Sequence, residues 1–234
     1  MRSKLLSLLP SLLVSLLFFA QGTIAQENTG SKEALLSNMF PTSCSFSGQF
    51  SQQKNIEGLP VPLISNGDFF FSCDLGLIWS TDTPFIEAIL YANAANSYRI
   101  NDKGDVTPLT GIARYSMSKI VMKLLNGDTQ YFAEEFSIVP SNNADEIKLQ
   151  PKGSYMKKGI EHILLTVDKR DEQNKSIDFI ILDTTGQTTQ VAINGIVEHD
   201  IEGRRASFEQ CEEHYPDTTF WCKILRSPSY LERY

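Results

Sequence analysis

The run Gly48–Phe85, GQFSQQKNIEGLPVPLISNGDFFFSCDLGLIWSTDTPF, decides the fold, because it holds two strand patterns and the turns that join them. Phe46, Gly48 and Phe50 alternate with Ser47, Gln49 and Ser51, the two-residue period of a strand with one apolar and one polar face. Gly58-Leu59-Pro60 breaks the chain, and after Asn66-Gly67 the positions Phe69, Phe71 and Cys73 share a parity that Leu75, Leu77 and Trp79 continue. Strands that follow one another through short turns, without a crossover helix, imply antiparallel pairing.

Outward from this run the same grammar continues. Phe85–Tyr91 and Tyr98–Ile100 read as strands separated by an Asn/Ala turn, and Asp102–Asp105 as a further turn. Ile112–Leu125 differs: Met117, Ile120, Val121, Leu124 and Leu125 recur at three- and four-residue intervals, and Gly127 supplies a C-terminal stop, so this segment is a helix. Strand patterns return at Phe136–Val139, Glu146–Gln150, Ile160–Asp168, Ser176–Asp183 and Thr188–Val197. Ala206–Glu212 and Thr219–Leu225 read as a last hairpin about Tyr215-Pro216-Asp217-Thr218, and Ser31–Phe40 as a short helix that Pro41 ends. The expected class is mainly β (α+β): a strongly bent antiparallel sheet forming an incomplete barrel, with two helices.

Arg2 and Lys4 precede an apolar run, Leu5–Ala20, and Thr23-Ile24-Ala25 offers a small residue at a cleavage point. This is the pattern of a secretory signal peptide over residues 1–25, leaving one domain over 26–234. The alternative, a membrane anchor, is disfavoured by Pro10 and by a run shorter than the ~20 apolar residues of a spanning helix. Loss of Arg2 and Lys4 would move the formal charge from -7 to -9, and no basic run exists to follow a phosphate backbone, so nucleic acid is excluded as a partner. Cys44, Cys73, Cys211 and Cys222 all lie in the exported part, where an even count points to disulfides. Three pairings are open. A ladder setting Cys44 against Cys73 also sets Phe46 against Phe71 and Gly48 against Phe69, and the last hairpin would bring Cys211 to Cys222. A metal site from Cys211, His214 and Cys222 matches no familiar zinc spacing, and neither metal nor cofactor is expected.

The ordered motifs G-x-F-x-Q, GL-x-x-PL-x-S-x-G-x-F-x-F and GL-x-W-x-T-x-x-P fall on Gly48, Phe50 and Gln52, then Gly58 to Phe71, then Gly76 to Pro84. Together with Ile147–Lys152 and Ile177–Gly186, they make the chain resemble the periplasmic lipoprotein carrier (LolA) family from about Gly48 to Val197. The resemblance implies helices covering the concave face of a half-barrel whose apolar cavity takes the acyl chains of a lipoprotein. It also implies a periplasmic carrier loaded at an inner-membrane ABC-type release complex and unloaded to an outer-membrane receptor. Phe69, Phe71, Leu77, Trp79, Leu90 (or Ile89), Met117, Ile120, Val121 and Leu124 are the candidate lining, and Met117 and Met122 add adaptable surface. The same residues would equally make an ordinary core. The chain departs from the family at Cys73, where members commonly carry a basic residue six positions before the tryptophan that helps hold a helical lid, Ile112–Leu125 here, closed. It also lacks the usual proline-rich C-terminus, which leaves room for a different lipid or glycolipid cargo.

No G-x-S-x-G, H-E-x-x-H, phosphate-binding loop or G-x-G-x-x-G is present, and His162, His199 and His214 read as surface strand histidines with acidic neighbours. A non-enzymatic monomer is expected, its remaining rival a disulfide-held envelope binding domain without internal lipid.

Overall fold

The computed structural model describes Leu36, Pro41 and residues 43–92, 96–109, 112–140, 146–168 and 176–233; the leader and most of the Ser31–Phe40 helix fall outside the described residues. Eleven strands form one antiparallel sheet: β1 Ser45–Asn55, β2 Leu63–Ser72, β3 Gly76–Thr83, β4 Glu87–Ala92, β5 Ser97–Asn101, β6 Val106–Pro108, β7 Phe136–Pro140, β8 Glu146–Pro151, β9 Ile160–Asp168, β10 Ser176–Asp183 and β11 Thr188–Glu198. Their order is β6-β5-β4-β3-β2-β1-β11-β10-β9-β8-β7, and the outermost strands β6 and β7 do not pair, so the sheet curls without closing.

Between those two edges the chain crosses over one face as α1 (Ile112–Leu125) and α2 (Thr129–Glu135). Gly127 ends α1 at a φ of 60°, where a side chain would be strained, and its N–H closes onto Leu124 O at 3.0 Å. Asp128 then caps α2, its carboxylate accepting from the Tyr131 N–H at 2.9 Å and from Lys123 Nζ at 2.6 Å. The expected α1 is found over its full range, while α2 was not read from sequence.

Each face has its own core. The first holds Phe46, Phe50, Phe69, Phe71 and Leu77 with apolar residues of β7–β11, covered by Ile120, Leu124 and Leu125 of α1 and Phe132 of α2. The second holds Phe70, Ile78, Leu90 and Ile100, covered by the C-terminal segment. That segment corrects the expected last hairpin: it is α3 (Arg204–His214) and α4 (Thr219–Arg226). Cys211, Tyr215, Trp221, Cys222, Ile224 and Leu225 are buried against the sheet there. Tyr215 Oη donates to Asp68 Oδ1 of β2 at 2.5 Å, and burial, reinforced by the Asp68 charge, holds the phenol well above its ordinary range.

Both cysteine pairs are bonded as the spacing favoured. Cys44–Cys73 spans 5.1 Å between Cα atoms, in a ladder that pairs Phe46 with Phe71 and Gly48 with Phe69. Cys211–Cys222 spans 5.9 Å and staples α3 to α4 instead of two strands, so neither thiol is left to bind a metal.

Candidate functional site

On the first face, β1, β3, β4, β10, β11 and α1 enclose a cleft of about 110 Å³ lined by Gln52, Trp79, Tyr91, Val121, Phe179, Ile181, Thr189 and Val191. Each strand supplies its lining from one parity, as the pleat requires: Val191 lies opposite Gln52 and Phe179, and Tyr91 opposite Leu77. Trp79 is half-buried and stacks on Phe50 at 3.9 Å between ring centroids, with Phe69 at 5.9 Å behind it. No carboxylate, amine or imidazole enters the lining, so the surface is suited to hydrocarbon and offers no fixed charge.

The sequence-derived candidates divide into four groups. Trp79 and Val121 line the cleft directly. Phe69, Phe71, Leu77, Ile120 and Leu124 lie buried beneath and around it in the same core. Leu90 points the other way: it pairs with Ile78 and is buried in the second core, so the cleft side of β4 belongs to Tyr91, which lines the cleft, and to Ile89, which lies opposite Trp79. Met117 lies on α1, but its side chain is outside the described ones. Sequence reading missed Tyr91, Phe179, Ile181 and Val191, although the alternation of Phe179 and Ile181 along β10 was a usable signal.

The end of α1 abuts the Cys44–Cys73 bridge and is tied to α2. Asn126 Oδ1 lies 3.2 Å from Cys73 Sγ, so the bridged cysteine occupies the place beside the helix end. The Lys123–Asp128 pair ties α1 to α2, and Lys119 and Lys123 stand 5.2 and 5.6 Å from the centre of the Tyr131 ring. Burial raises the Asp128 carboxyl, but the hydrogen bonds from Lys123 and the Tyr131 N–H, with the Lys123 charge, outweigh it and leave the group below its ordinary range.

On the opposite face Ser47 Oγ lies 3.1 Å from His199 Nε2. Ser47 is buried, and burial together with the nearby His214 lowers the His199 imidazole.

An unclosed antiparallel sheet with helices laid over one face is an open half-barrel. The chain belongs to the outer membrane lipoprotein carrier protein LolA family, whose model matches residues 42–209. The family is one of periplasmic lipid- or lipoprotein-binding carriers, not enzymes. Among solved structures, a LolA superfamily protein of Nitrosomonas europaea is 12% identical, with a TM-score of 0.41 over 74% of this chain and 94% of that one. A DUF1329 family protein of Desulfovibrio piger is 11% identical, with a TM-score of 0.43 over the same shares. No curated protein matches the sequence.

Proposed function

We propose that this protein is exported by a leader cleaved near Ala25 and that residues 26–234 act as a periplasmic monomer. In this reading it carries the acyl chains of a lipoprotein, taken from an inner-membrane ABC-type release complex and given to an outer-membrane receptor. The observation that carries the reading is the uncharged, mainly apolar cleft between Trp79 on the sheet and Val121 on α1, with Gln52 and Thr189 as its polar members. At about 110 Å³ it is smaller than the ~300 Å³ from which ligand pockets begin, so cargo enters as α1 lifts from the sheet. The drive is hydrocarbon burial, roughly 0.8 kcal/mol for each methylene removed from water.

Native mass spectrometry of protein taken from a periplasmic extract, before and after solvent extraction, tests this. The expected result is a non-covalent acylated species that extraction removes and that an apolar dye then replaces in competition with lipid. Protein with no extractable lipid and no dye binding would leave only a packed envelope domain. A second cargo class, another envelope lipid or a glycolipid, is favoured by Cys73, which is bonded to Cys44 where carriers place a basic residue. The mass of the extracted species separates the two.

A further inference from the structure

Seven of the eight large apolar side chains exposed among the described residues lie at one end of the sheet. Leu59, Val61, Leu63 and Ile64 belong to the β1–β2 hairpin, Phe85 and Ile86 to the β3–β4 turn, and Tyr155 to the β8–β9 connection. Hydrogen bonds place these turns on a common rim: Asn66 Nδ2 to Thr83 Oγ1 at 3.3 Å, Asn55 Nδ2 to Thr188 Oγ1 at 2.7 Å, and Thr184 Oγ1 to Lys158 O at 3.0 Å. Phe85 is 79% exposed and Val61 66%, values that protein surfaces seldom show for neighbouring large apolar residues.

We propose that this rim rests on a lipid bilayer and that its two hairpin tips enter the interfacial layer. The proposal deepens the carrier reading and rests on it only for the purpose of the contact. Two observations favour a bilayer over a protein partner. The apolar residues sit on protruding turns and not in a groove or on a flat face, and a fluid interface accommodates separate projections where a protein interface needs a matched, packed core. Gly58–Gly67 and Thr83–Ile86 contain no charged residue, and Glu57, Asp82 and Glu87 flank them at the level where the tips would leave the lipid.

The exposed Lys152, Lys157 and Lys158 near Tyr155 stand where headgroup phosphates would lie. The net charge of the chain is negative, so attachment depends on the apolar tips and not on anionic lipid.

Flotation of the periplasmic form with phosphatidylcholine vesicles tests this, using wild type and the double variant Phe85→Ser, Ile86→Ser. Both positions are exposed, so the variant is expected to fold. Wild type should float at low and high salt, and the variant should lose about tenfold or more of its vesicle partitioning while still binding a fluorescent fatty acid. Wild type that stays at the bottom of the gradient, or a variant that floats equally well, would overturn the proposal. So would a dimer in sedimentation that the variant disperses without any vesicle binding, which assigns the rim to a second copy. Failure of fatty-acid binding by wild type speaks against the carrier reading alone, since flotation is measured without it.

Discussion

Trp79 stands where the packed interior gives way to the cleft: one face of its indole lies on Phe50, while the side chain remains half-buried. A fully buried aromatic costs roughly 3–5 kcal/mol on truncation, and half-burial reduces this. Trp79→Ala is therefore expected to lower unfolding free energy by about 1–2 kcal/mol while weakening fatty-acid probe binding about thirtyfold or more. Intact binding with a full core-sized loss of stability would make Trp79 an ordinary packing residue. The residue scale is also where the sequence was most readable. Gly67 belongs to a motif for a steric reason, since a Cβ there would sit 1.8 Å from Ser80 O. Leu90 was misplaced because Ile89 and Leu90 are equally apolar, and only the pairing of Ile89 with Trp79 reveals which side chain faces inward.

At the scale of elements, the joint between α1 and α2 should determine how easily the helix lifts. Asp128→Asn keeps a capping oxygen but loses the charge facing Lys123, an effect of about 0.5–1 kcal/mol for a pair this accessible to solvent. The folded state holds the Asp128 carboxyl below its unfolded value. Its contribution is therefore present above the unfolded pKa, near the ordinary 3.8, and is lost as pH falls through the folded value. Urea unfolding should show wild type ahead of Asp128→Asn at neutral pH and level with it in acid. A gap that persists in acid would assign the effect to packing.

The C-terminal pair of elements was misread for an identifiable reason. The Pro216-Asp217 turn invites a hairpin, but Phe208, Cys211 and Tyr215 follow helical spacing, as do Phe220, Trp221, Ile224 and Leu225. Runs this short support either period until something covers them, and here the second face of the sheet does. Replacing Cys211 and Cys222 together by Ser should cost about 3 kcal/mol in the chain-entropy account, read as a lower denaturation midpoint. An unchanged midpoint would show that Tyr215, Trp221 and Leu225 hold these helices unaided.

At the scale of the molecule, local pattern yields strands but not their order. The pairing of β1 with β11 joins Phe46 to Glu198, contacts no short-range periodicity can announce. Hairpins could be read one at a time, whereas the arrangement of two meanders either side of β1 and β11, with a core on each face, came only with the fold.

The same order leaves β6 and β7 at opposite margins of the sheet while the chain runs directly from one to the other through α1 and α2. In the carrier reading that crossing would work as a drawstring. Spreading the margins would draw on the segment that covers the cleft, and slackening it would let the margins move, so the width of the mouth and the height of α1 would form a single mechanical coordinate.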